Sequence, residues 1–302
     1  MCNSAELLSW TVVFAVESLV IIAANIITIV IFWKLRFVLK RTYYLLINLT
    51  VADVIVGFGV IEIVTKNIWK LETSEPLRSA RFIAVDMFSG SASMTSLLLI
   101  AVDRFLAIVL PFRHRALTKR NYMQCIIGVW FTALVMTVTR LLPEFVSNPE
   151  LKIVSLWIIA SLMAICLIAM CCLYTAIWIS SKKDDPRIPR DKRERNKRLA
   201  KTLFIVTATS VATWLPFAAT FVLPLHVGNH ENCILQKALL GGRFLQLANS
   251  FLNPVVYCYR MEEFSRTLKQ IVITCGKKSK VTDHQSLQSH IPAKLPVSLS
   301  LS

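Results

Sequence analysis

The sequence predicts an all-α membrane protein, a bundle of seven transmembrane helices followed by a short amphipathic eighth helix. Three observations predict it. Apolar residues gather in seven blocks of membrane-spanning length, and basic residues crowd the loops between alternate blocks. The blocks also keep polar, charged and proline residues that cost free energy in a bilayer, among them Asp103-Arg104-Phe105 and Asn253-Pro254-Val255-Val256-Tyr257.

The chain has 302 residues and is 55% hydrophobic, above the roughly 45–50% of a soluble domain. A spanning helix needs about 20 mostly apolar residues. Blocks of that kind cover approximately 10–33, 43–68, 82–109, 122–142, 153–180, 200–224 and 235–259. Residues 1–9 then form a short extracellular N-terminus, 10–259 the bundle, 260–275 the eighth helix on the cytoplasmic side and 276–302 a flexible cytoplasmic tail. No internal repeat of the kind that many transporters carry is visible.

The net charge of +16 reads as topology rather than as a nucleic-acid footprint. Lys34, Arg36, Lys40 and Arg41 follow the first block, and Arg113, Arg115, Lys119 and Arg120 follow the third. A basic run from Lys182 to Lys201 follows the fifth, and Arg266, Lys269, Lys277, Lys278 and Lys280 follow the seventh. The positive-inside bias puts these segments in the cytoplasm. The N-terminus is then extracellular, the C-terminus cytoplasmic, and the lipid bilayer is the first partner. Met1 to Trp10 is too short and polar for a cleaved signal, so the first block reads as a retained anchor. The Asn48-Leu49-Thr50 triplet falls inside a span, where glycosylation does not reach it.

Most of the eight cysteines fall in spans or on the reducing side. Cys2 and Cys233 are the two expected outside; whether they pair stays open. Asp53 lies mid-span and needs polar partners; Ser93, Asn249, Ser250 and Asn253 are the candidates. Asp86 precedes Arg104 by 18 residues, about 27 Å along a helix, which puts it near the outer end of the third span. Arg243 in the seventh span and Glu62 near the top of the second are its candidate partners.

In order along the chain, Asn25, the Asn48–Asp53 stretch, Asp103-Arg104-Phe105, Trp130, Tyr174, Thr213-Trp214-Leu215-Pro216 and Asn253–Tyr257 each mark one span. This succession resembles the rhodopsin-like (class A) G-protein-coupled receptors over about residues 10–275. The resemblance implies a receptor, not an enzyme, that binds an extracellular ligand and activates a heterotrimeric G protein at the plasma membrane. It implies that Asp103, Arg104, Tyr174, Asn253, Pro254 and Tyr257 form the coupling switch, with Trp214 and Pro216 as the toggle. It also implies an allosteric sodium ion at Asp53, Ser93, Asn249, Ser250 and Asn253, the alternative being a polar network with water only. No other cofactor is expected.

Met261, Phe264, Leu268 and Ile271 mark one helical face and resemble the family's eighth helix. Cys275 behind it is a palmitoylation candidate, a free thiol being the alternative, and the Ser/Thr-bearing tail is a candidate arrestin site.

Several positions depart from the family pattern. Phe105 replaces a Tyr, and Asn196 stands where relatives place an acid that restrains Arg104. Cys166, Met94 and Ser210 stand at the central relay. The outer disulfide of most relatives has no counterpart, since Ser79 takes one of its places and the loop at about 143–151 has no Cys.

Asp86, Glu62, Arg243 and Phe217 are the expected ligand-binding residues. Asp86 resembles the acid of the amine receptors, and the short, Cys-free second outer loop resembles the melanocortin receptors. Leu247, where opsins carry their retinal lysine, excludes an opsin. The expected ligand is a small amine or a short basic peptide. The alternatives are a neutral or acidic small molecule or lipid held by Arg243, or a transporter or non-signalling receptor-like protein.

Overall fold

A computed structural model describes residues 4–39, 42–69, 76–182, 194, 201, 204–205, 208–219 and 233–274. The helices are α1 (Ser4–Leu39), α2 (Thr42–Trp69), α3 (Pro76–Val109), α4 (Pro111–Ala116), α5 (Lys119–Val146) and α6 (Pro149–Lys182). They are followed by α7 (208–219), α8 (Cys233–Arg260) and α9 (262–274). No strand occurs among the described residues. Cys2, Asn196, Cys275 and the tail lie outside the described residues, as do the side chains of Glu62 and Ser79.

Among the described residues, five helices are long and apolar enough to cross a membrane. They are Leu8–Arg36, Tyr43–Ile61, Ala80–Val109, Lys119–Val146 and Pro149–Ser180. α8 has the length of a span, but Lys237, Arg243, Gln246, Asn249 and Asn253 dilute its apolarity. The helices overrun the apolar blocks because helical hydrogen bonding continues past the hydrocarbon edge.

The expected loop at 143–151 is a correction. α5 runs through Pro143 to Val146 and α6 starts at Pro149, leaving two residues between them. Ser147 takes a left-handed conformation with φ 55°. Asn148 Oδ1 accepts from the backbone N–H groups of Glu150 (3.0 Å) and Leu151 (3.1 Å), which caps α6. At the other end of α5, Thr118 and Asn121 form a reciprocal capping box.

α3 is the central helix and packs against α2, α5 and α6. Its Met94, Leu97 and Ile100 share a core with Leu45 and Leu49 of α2, and that core continues to α6 and Trp214. Ile127, Phe131, Ile165 and Ile168 on α5 and α6 point outward, as expected where lipid is the solvent. α1 and α2 approach closely at Gly57, where an added Cβ would lie 2.6 Å from Ile22 Cγ1. Ser18 Oγ donates to the Gly57 carbonyl at 2.9 Å across the same contact.

The apolar stripe of α9 is used. Phe264 is buried, with its ring 5.5 Å from Phe32 and 6.0 Å from Tyr257. Met261, Leu268 and Ile271 pack on the same core.

Candidate functional site

Three polar clusters lie along the bundle. The first surrounds Asp86 on α3. The Arg243 guanidinium on α8 forms an ion pair with Asp86 Oδ1. It also donates to Gln246 Oε1 at 2.6 Å and lies 5.6 Å from the Phe217 ring centroid. The two charged side chains are 21% (Asp86) and 14% (Arg243) exposed, so the pair is largely desolvated and neither partner is easily left alone. Met87, Met94, Met136, Met163, Trp214 and Phe217 help line the cavity beside it. That cavity measures about 30 Å³, far below the roughly 300 Å³ of a ligand pocket. A ligand of several heavy atoms enters only if the ion pair or the adaptable methionines move.

The second cluster surrounds Asp53, which is fully buried. Ser93 Oγ (2.7 Å) and Ser250 Oγ (2.9 Å) donate to its Oδ1, and Asn253 Nδ2 (2.9 Å) donates to its Oδ2. Three of the four expected partners therefore meet the carboxylate. Asn249 makes no such bond: its amide is buried without a hydrogen-bond partner. One carboxylate with hydroxyl and amide oxygens is a hard-donor set that fits a sodium ion. Beside this cluster, Asn25 Nδ2 donates to the Ser250 carbonyl at 3.0 Å and ties α1 to α8. Trp130 Nε1 donates to Asn48 Oδ1 at 2.9 Å and Asn48 Nδ2 to Ser96 Oγ at 2.8 Å, tying α5, α2 and α3.

The third cluster lies at the far end of α3. Arg104 pairs with Asp103, its Nε 2.9 Å from Oδ2. Tyr122 donates its hydroxyl to Asp103 Oδ1 at 2.6 Å, and His114 Nε2 lies 3.1 Å from the same oxygen. Tyr174 and Tyr257 are both buried. Trp214 is buried too, its ring 6.0 Å from Phe217, two residues before the half-buried Pro216, while Pro254 lies buried inside α8.

Sequence reasoning missed four contributors. Tyr122 and His114 sit in a basic segment whose charge, in the sequence, points to topology alone. Gln246 follows Arg243 by one helical turn. Glu17, a charge inside the first apolar block, is buried with no hydrogen-bond partner for either oxygen; an acid amid apolar residues was the available signal. Cys233 is disulfide-bonded; the expected partner, Cys2, lies outside the described residues. Cys125, Cys166, Cys171, Cys172 and Cys258 are free.

Residues 24–257 match the family described as "7 transmembrane receptor (rhodopsin family)", and the chain belongs to that family. It is a membrane-embedded, multi-pass G-protein-coupled receptor and not an enzyme; the family implies an extracellular ligand and coupling to a G protein.

Among its relatives is the adenosine receptor A3 of Ovis aries, 26% identical over 88% of this chain and 92% of that receptor. Lysophosphatidic acid receptor 3 of Homo sapiens is 27% identical over 76% of this chain and 69% of that receptor. The tachykinin-like peptides receptor 99D of Drosophila melanogaster is 22% identical over 88% of this chain and 57% of that receptor. Their names carry three different ligands, none of them from the amine or melanocortin groups.

Proposed function

We propose that this receptor responds to a small amine or a short basic peptide whose ammonium takes the Asp86 carboxylate, and that it passes the signal to a heterotrimeric G protein through Arg104. The observation that carries the ligand reading is the Asp86–Arg243 pair at the cavity. A cation competes with Arg243 for Asp86, in a partly dry site where Coulomb attraction is strong. A second reading, an acidic or lipid ligand held by Arg243, is supported by the guanidinium fork turned toward Gln246 and Phe217.

At the other end, Asp103 holds Arg104 in the resting state. Parting of the helices frees Arg104 to meet Tyr174 and Tyr257 and to cap the G-protein cavity. In this reading the N-terminus is extracellular, the C-terminus cytoplasmic, and Cys233 pairs with Cys2. Asp53, Ser93, Asn249, Ser250 and Asn253 would hold sodium, which would supply a positive charge that stabilises the resting packing.

The test is a panel of matched primary amines, their uncharged analogues and their carboxylate analogues, read as G-protein nucleotide exchange. Responses to amines alone that are lost in Asp86→Asn support the reading. Responses to carboxylates that depend on Arg243 and ignore Asp86 would establish the second one.

A further inference from the structure

We propose that Glu17 is the standby counter-ion of Arg243: when a cationic ligand takes Asp86, the guanidinium moves to Glu17. The proposal rests on the reading of Asp86 as the acceptor of an ammonium.

Glu17 is 4% exposed, and neither of its carboxylate oxygens has a hydrogen-bond partner. An unpaired charge there costs free energy, and a cation brought beside it removes that cost. Its depth matches that of Arg243. Asn25 of α1 is tied to Ser250 of α8. Glu17 lies eight residues before Asn25, about 12 Å along α1, and Arg243 lies seven residues before Ser250, about 10 Å along α8. α1 and α8 run in the same direction there, since Glu6 Oε1 also meets Lys237 Nζ at 2.9 Å further up.

The faces match too. Phe14, Glu17 and Ile21 share one stripe of α1. Phe14 and Ile21 pack in one cluster with Leu247, one turn below Arg243, and with Phe244.

The arrangement solves a problem of charge. An ammonium that displaced Arg243 from Asp86 would otherwise leave a buried guanidinium unpaired, a penalty that can cancel the gain from the new pair. With Glu17 at the same depth on the neighbouring helix, a ligand bearing a single positive charge suffices and need not bring an anion of its own. Gln246 keeps hold of one guanidinium nitrogen and serves as the pivot.

Thermal unfolding of the detergent-solubilised full chain tests the handover without any ligand. In wild type, Glu17→Gln leaves the melting temperature unchanged or raises it, because the acid there is unpaired. In Asp86→Asn, Arg243 relies on Glu17, and adding Glu17→Gln lowers the melting temperature by at least about 3 °C. In Arg243→Gln, adding Glu17→Gln raises it more than in wild type, because no guanidinium remains on α8 to offset the buried acid. Equal shifts in all three backgrounds overturn the proposal. Should Asp86→Asn fail to fold, the Arg243→Gln pair decides: a rise larger than in wild type supports the pairing, and none overturns it. A flat set of shifts beside an amine response through Asp86 overturns the role of Glu17 alone. The predicted shifts with no amine response uphold the pairing and overturn the amine class.

Discussion

Tyr122 donates its hydroxyl to Asp103 Oδ1 at 2.6 Å, so the acid that pairs with Arg104 is itself held by α5. His114 closes the same group, 3.1 Å from Asp103 Oδ1 and 3.2 Å from the Tyr122 hydroxyl. Holding Asp103 in place holds Arg104. Tyr122→Phe removes one charge-assisted bond, about 1.5 kcal/mol or more. A penalty of that size falling on the resting state alone shifts its balance with the active state by roughly tenfold. Ligand-free nucleotide exchange should rise accordingly. Basal exchange equal to wild type would show that the bond does not restrain the switch.

The Asp53 cluster predicts a sodium dependence. Raising sodium in place of a bulky organic cation should lower basal exchange in wild type. Asp53→Asn keeps the shape of the side chain and removes the charge that would bind the ion, so its exchange should be flat across the titration. Parallel curves for the two proteins would exclude a sodium site at Asp53.

The α1–α2 contact predicts a stability defect with no functional residue involved. A Cβ at Gly57 already meets Ile22 Cγ1 at 2.6 Å and Ile21 Cγ2 at 3.1 Å. Gly57→Val adds two further methyl groups to that space, an overpacking cost of about 1–3 kcal/mol. Its melting temperature should fall by several degrees, and a value within one degree of wild type would mean that the helices separate freely there.

At the ligand end, Asp86→Asn should raise the concentration of an amine agonist needed for half-response at least tenfold, a loss of about 1.4 kcal/mol. Arg243→Ala should disturb an amine less than a carboxylate analogue. Concentration–response curves for both variants check this, and unchanged amine potency in Asp86→Asn would remove Asp86 from the site.

Much of this molecule can be read from its sequence, for physical reasons. Membrane spans must be continuous and apolar, so the blocks stand out. Asp53, Asp86 and Arg243 are visible because a charge inside such a block is costly. The Asp86–Arg243 contact and three of the Asp53 bonds follow from the helices that carry them. What escaped depends on rotation and on side-chain reach. Whether Asn249 or Ser250 faces Asp53 is a matter of 100° around α8, which composition does not fix. Tyr122 and His114 reach Asp103 only because α4 and the capped start of α5 fold back beneath α3. Glu17 was outweighed by the apolar residues around it, and the two-residue join between α5 and α6 depends on the capping by Asn148.

The central claim is that Arg104, held by Asp103, is the switch through which this receptor drives a G protein. Nucleotide exchange on a purified heterotrimeric G protein, measured in membranes carrying matched surface amounts of receptor, tests it most directly. Tyr122→Phe should exchange faster than wild type, and Arg104→Ala should fall to the level of receptor-free membranes in either background. An Arg104→Ala receptor that still drives exchange at the wild-type rate would contradict the account.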